Sequence, residues 1–211
     1  MQVQIFNETL KNIWQGPPDE ISLVSQQIDA GLQQKMLSIF SLGDYYSFVF
    51  NLNSMEFTRQ SCGVELVLGY KPEEFTSSFA IEHIHPDDRA WVMNAENTIK
   101  KFYQTLAPEN FFNYKVRYDY RMQKKSGKYV RILQQVVVVN YSLEGVILDT
   151  FCLHTDISHL KSSNSRNLSF VGLNGTESLL NYPVEDISEG FEKHFFSKRE
   201  REILCHLWEG R

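Results

Sequence analysis

The spacing of apolar positions changes twice along the chain. Ile21, Val24, Ile28, Leu32, Met36 and Ile39 recur at intervals of three and four, which is one face of a helix. Leu10, Ile13 and Trp14 give a shorter apolar face before it, and Pro17-Pro18 separates the two. From Tyr46 the period drops to two: Tyr46, Phe48, Phe50 and Leu52 alternate with more polar neighbours, and a second short strand is predicted over 56–61. The stretch 64–103 reads as interrupted helix. One short helix is expected from Pro72 and a longer one from Pro86, each with proline at its start and acids in its first turn. Three strands follow. In the first, over 112–122, Phe112, Tyr114, Val116, Tyr118, Tyr120 and Met122 share one face and polar residues the other. Lys125-Ser126-Gly127-Lys128 turns the chain into a strand over 129–141, where Val136–Val139 is apolar on both faces. A last strand is expected over 146–155. Helices gathered between strands define an α+β fold.

Composition narrows the function. The 211-residue chain is 42% hydrophobic and 22% charged with a formal net charge of −5, so no broad basic surface for nucleic acid is expected. It has no apolar run of membrane-spanning length and no signal-peptide pattern at its start. Cys62, Cys152 and Cys205 are odd in number and far apart, which predicts free thiols and a cytoplasmic setting.

Four segments carry a family resemblance. They are Leu68-Gly69-Tyr70 with Pro72-Glu73-Glu74-Phe75, then Ile84-His85-Pro86-Asp87-Asp88-Arg89, the hairpin Tyr120–Val130, and Asp156-Ile157-Ser158. In this order they resemble a bacterial PAS domain over 44–161. The resemblance implies a five-stranded antiparallel sheet with short helices across one face and room for a small pocket between them. It also implies that the N-terminal helices of 1–43, 19–40 above all, cover the other sheet face or dimerise. Residues 162–195 read as a linker with a short extended piece at 170–175.

Phe196–Leu204 resembles the start of a LuxR-type helix-turn-helix domain, so 196–211 reads as its first helix. Ser197 and Glu200 make a capping box, and Arg199 and Arg201 complete the match. The resemblance implies a transcription regulator acting as a homodimer. It also implies that DNA is read by recognition elements expected beyond Arg211, so the chain is expected to be part of a longer regulator.

Candidate pocket residues are Phe48, Phe57, Leu68, Phe75, Tyr114, Tyr118, Tyr120, Val136, Val138, Phe151 and Leu153; candidate signal-output residues are Asp156, Ile157 and Ser158. The aromatic residues could line a ligand site or fill a solid core, and the tyrosine hydroxyls need partners in either case. His83 and His85 lack further ligands at metal spacing, so no metal is expected, and the cysteine-containing segment of flavin photoreceptors is absent. Neither haem nor flavin is expected; any other cofactor stays open. No nucleophile–base constellation is visible, so a non-enzymatic sensor of a small molecule or partner is the leading expectation. The alternatives are a ligand-free dimerisation module and, more remotely, an enzyme on a cone-shaped α+β fold.

Overall fold

A computed structural model describes residues 40–142 and 144–186. The expected N-terminal helices and the expected helix-turn-helix start at Ser197, Arg199, Glu200 and Arg201 lie outside the described residues. Tertiary contacts divide the chain after Ser41, and the unit beginning at Leu42 carries the fold.

The scaffold is one antiparallel sheet. Its strands are β1 (Tyr45–Asn51), β2 (Glu56–Thr58), β3 (Tyr114–Gln123), β4 (Tyr129–Tyr141), β5 (Ile147–Asp156), β6 (Leu168–Gly172) and β7 (Leu179–Tyr182), in the spatial order β2-β1-β5-β4-β3-β6-β7. Three α-helices, α1 (Gly63–Leu68), α2 (Ser77–Glu82) and α3 (Pro86–Gln104), connect β2 to the rest. Val64, Val67 and Leu68 of α1 and Val92, Ala95, Phe102 and Tyr103 of α3 are buried, as are Tyr46, Phe48, Val116, Tyr118, Tyr120, Met122 and Ile132 of the strands. Together they form one core.

Local chemistry sets the helix ends. Gly69 closes α1 at φ 80°, a left-handed position that favours glycine, and its N–H bonds the Glu65 carbonyl. Thr76 caps α2 by accepting from the Phe79 N–H at 3.3 Å. His85 caps α3: its Nδ1 accepts from the Asp87 N–H at 3.2 Å, with Pro86 at the first helical position and Asp87 and Asp88 in the first turn.

Three features depart from the sequence pattern. The sheet has seven strands where five are predicted. β6 pairs with β3 (Val116 opposite Phe170) and β7 pairs with β6, so residues within the expected linker extend the free edge of β3. The strand predicted from Phe112 begins at Tyr114, because Pro108–Asn113 forms a 3₁₀ helix; Phe111 is buried and Phe112 is exposed. Pro72 opens a turn, not a helix, and α2 begins at Ser77.

Candidate functional site

Strand register builds a row of side chains on the helix-covered face of the sheet. Tyr118 of β3 is opposite Gln134 of β4, Gln134 is opposite His154 of β5, and His154 is opposite Tyr46 of β1. Such cross-strand neighbours are within reach of one another, and all four are joined by hydrogen bonds. His154 Nδ1 lies 2.7 Å from the Tyr46 hydroxyl and its Nε2 3.0 Å from Gln134 Oε1. Gln134 Oε1 also accepts from the Tyr120 hydroxyl at 3.0 Å, and Gln134 Nε2 donates to the Tyr118 hydroxyl at 2.8 Å. The Tyr118 hydroxyl in turn donates to Glu96 Oε1 of α3.

Because the amide oxygen can only accept, His154 carries its proton on Nε2 and accepts from Tyr46 at Nδ1. From Tyr46 to Glu96 each donor points the same way, toward the carboxylate.

Burial keeps the interior of this chain uncharged. It pushes the His154 imidazole down to about 3, so the ring is neutral at physiological pH. Burial raises the Tyr46, Tyr118 and Tyr120 hydroxyls, and the Glu96 charge raises Tyr118 and Tyr120 further. Cys152, two residues from His154, is pushed by burial up to about 12. Glu96 differs. Its residue surface is still open to water, yet the protein crowded around its carboxyl raises it above the ordinary carboxylate value, against the pull of hydrogen bonds from Tyr118 and Gln134.

Beside the polar row lies an aromatic cluster. Phe48 packs on Phe57 at 4.1 Å between ring centroids, Phe57 on Phe75 at 5.6 Å, and Tyr46 meets Phe75 edge-on at 5.4 Å. Next to it is an open groove of about 980 Å³, with Met55, Phe57, Gln60, Phe75 and Thr76 among its walls.

The predicted pocket residues therefore fall into groups. Phe48, Phe57 and Phe75 join the aromatic cluster, and Leu68 is fully buried on α1. Tyr118 and Tyr120 belong to the polar chain. Val136 and Val138 occupy the same strand face as Gln134, and Tyr114 packs edge-on against Phe102 at 5.0 Å. Phe151 and Leu153 alternate with Cys152 and His154, so they project to the other side of the sheet. Tyr46, Glu96, Gln134 and His154 were absent from the predicted set. Tyr46 alone had a visible signal, as a member of the alternating β1 face.

The predicted output residues tie strand ends together. Asp156 Oδ1 accepts from the Ser158 N–H at 2.9 Å and from its hydroxyl at 2.6 Å, and Ser158 Oγ accepts from the Arg131 N–H at 2.9 Å. The Ile157 N–H bonds the Arg131 carbonyl and the Asp156 N–H bonds the Asp44 carbonyl, both at 2.8 Å. The segment locks the end of β5 to β4 and to the start of β1.

A second polar cluster fixes the start of α3. Asp88 is buried; its Oδ2 accepts from the Arg121 N–H at 2.8 Å and Nε at 3.0 Å, and its Oδ1 accepts from Arg121 Nη2 at 2.7 Å and Arg166 Nη1 at 2.9 Å. Burial alone would raise this carboxyl, but the bonds and charge of Arg121, with Arg166, outweigh it and hold Asp88 below its usual value. His83 stacks on Phe79 at 3.8 Å, and among the described residues no group of three or more His, Cys, Asp or Glu is arranged to hold a metal ion. No helix of the described residues is long and apolar enough to cross a membrane.

A family model described as "PAS fold" matches residues 58–149, the stretch that holds the three helices, β3, β4 and the start of β5. The domain has the PAS fold. The domain is similar to the N-terminal domain of a diguanylate cyclase with PAS/PAC sensor from Marinobacter aquaeolei, at 24% identity over 55% of this chain and 96% of that one, with a TM-score of 0.43. It is also similar to a sensory box histidine kinase/response regulator from Burkholderia thailandensis, at 21% identity over 60% of this chain and 85% of that one, with a TM-score of 0.44. A PAS domain of a protein from Colwellia psychrerythraea matches at 19% identity over 61% and 98% of the two chains, with a TM-score of 0.39. A search of curated proteins finds no match.

Proposed function

We propose that the chain is the non-catalytic sensory module of a DNA-binding transcription regulator, acting as a cytoplasmic homodimer. A small molecule offering a hydrogen-bond donor engages Glu96 and changes the polar chain behind it. The observation that carries this reading is the chain itself. An apolar filling would hold the sheet and α3 together without burying polar groups that must each find a partner. Here Tyr46, His154, Gln134 and Tyr118 run across four strands to the carboxylate of Glu96, a residue whose surface is exposed. The regulatory context rests on the dense resemblance at Phe196–Leu204 to the opening of a LuxR-type domain. The cytoplasmic setting rests on the unpaired spacing of the cysteines.

A second reading, a ligand-free dimerisation module, draws support from the aromatic cluster of Tyr46, Phe48, Phe57 and Phe75, which fills the neighbouring part of the same face. Native and denaturing mass spectrometry of the purified chain separates the two. A dimer that releases a small mass, lost in Tyr118→Phe and Glu96→Ala, is the expected result for sensing. A dimer with no added mass, and no thermal shift with any member of an amine and alcohol metabolite panel, supports the second reading. A monomer overturns the dimeric part of both.

A further inference from the structure

Helix α3 is gripped on the flank away from Glu96. Asn94, Thr98 and Lys101 lie on one side of the helix; at 3.6 residues per turn Glu96 is rotated by about 200° from Asn94 and from Thr98. These three side chains hold the segment that follows β7. Asn94 Nδ2 donates to Asp186 Oδ1 at 3.2 Å, the Glu185 N–H donates to Thr98 Oγ1 at 3.1 Å, and Lys101 pairs with Glu185. Thr98 Oγ1 itself donates to the Asn94 carbonyl at 2.8 Å, so the contacts are linked. The same segment is stitched to α3 at two further places. Phe170 of β6 stacks on Phe102 at 3.8 Å with Tyr182 of β7 edge-on to Phe170 at 5.0 Å, and Arg166 reaches the Asp87 carbonyl, Asp88 and the Trp91 ring.

The geometry points to residues 166–186 as an output strap: the added β6–β7 hairpin and its tail report the position of α3, so that a change at Glu96 is passed to the chain beyond residue 186. This rests on the reading of Glu96 as the responsive end of the polar chain. Two elements touch both: β3 carries Tyr118 and pairs with β6, and α3 carries Glu96 itself, with Tyr118 and Gln134 pulling on one flank and the strap on the other. A helix held between two sets of directional bonds responds to the loss of one set by a small rigid shift, the kind of 1–2 Å movement that packed helices make. The strap meets that movement over most of the helix length, from Asp87 to Phe102.

Hydrogen exchange on the full chain tests this with no ligand needed. Glu96→Gln and Tyr118→Phe alter the same bond from its two sides. Each is expected to speed exchange in β6, β7 and the Glu185 amide by roughly three- to tenfold, with β1 and the residues of β5 paired with it at parental rates. Thr98→Val with Lys101→Ala is expected to free the same strap amides directly. If the strap variant frees them while both Glu96→Gln and Tyr118→Phe leave them at parental rates, the strap only braces α3 and the inference is overturned. A rise spread evenly over β1, β5 and the strap in both site variants also overturns it. Neither result bears on ligand sensing, which the released mass judges separately.

Discussion

Helix α3 is tied to the sheet at two points, and the two ties are built on opposite principles. Near its start, Asp88 is a buried charge met by Arg121 and Arg166, and the helix cap at His85 is part of the same arrangement. About two turns further on, Glu96 meets a chain of neutral groups: Tyr118, Gln134, His154 and Tyr46. The carboxylate of Asp88 is buried while its two guanidinium partners reach the surface, so it is the carboxylate that has one workable state: without the arginines it would be a charge in poorly solvating surroundings. A chain of amides, hydroxyls and one neutral imidazole can exchange donors and acceptors at lower cost. The first tie is suited to fixing where α3 begins, the second to letting its middle respond.

The sharpest way to break this contrast is Asp88→Ala. It removes the charge-assisted bonds from Arg121 and Arg166, including the one that fixes the Arg121 backbone N–H, while Arg121 keeps Asp87 and some contact with water, and a loss of about 3 kcal/mol is expected in urea unfolding. A loss below about 1 kcal/mol would mean that the ionic tie is no firmer than an exposed pair.

Acid separates the two ties next. Unfolded His154 takes up a proton near pH 6.5, but the folded ring resists until about 3, so its contribution is intact above pH 6.5 and is lost as pH falls through that window. By pH 4.5 the loss is on the order of 3 kcal/mol. Glu96 acts in the opposite sense: its raised carboxyl favours the fold as pH falls toward its unfolded value. Asp88, held low, withdraws support only below its usual value near 3.8. Comparing parent and His154→Gln in urea melts from pH 7 to 4.5 isolates the imidazole, and equal slopes would show that His154 is not kept neutral by the fold.

A smaller effect is expected from Tyr118→Phe, which leaves Gln134 Nε2 and Glu96 without their shared partner, at about 1–3 kcal/mol by the same melts. At the bottom of the scale stands the exposed pair Lys125–Glu74, with contacts of 3.0 and 3.2 Å. Lys125→Ala is expected to leave the urea midpoint unchanged within error, since water solvates either ion alone. A clear shift would show that surface charge holds the β3–β4 turn to the Glu74 turn.

Those two ties also mark what a sequence can disclose. The ionic one was partly legible, because Pro86, Asp87 and Asp88 announce a helix start by local chemistry alone. So was the β3–β4 hairpin, where alternation and Gly127 act within a few residues. The neutral chain was not legible. Gln134 and His154 are polar residues on an inward face, so a search for apolar alternation passes over them, and only the register of four strands sets them in one row. β5 misleads for a related reason. Phe151 and Leu153 are the larger apolar side chains, but Cys152 and His154 take the helix-covered face. The β6–β7 hairpin is short and bounded by Ser and Asn, and its strands gain their place by adding to an edge that already exists.

Gln134 is the one member of the polar chain whose accepting and donating atoms are different elements. Its oxygen collects two protons, from His154 and Tyr120, and its nitrogen passes one on to Tyr118. The chain therefore has a grammatical direction, and a single amide sets it. Turning that amide end for end would place an N–H against the His154 N–H and the oxygen against the Tyr118 hydroxyl. His154 would then have to adopt its other tautomer, and Tyr118 would have to choose between Gln134 and Glu96. Reversal thus couples the amide to the proton on His154 and to the partner of Tyr118. A row of this kind has two opposite proton orderings, and the amide at its middle decides which one the sheet carries.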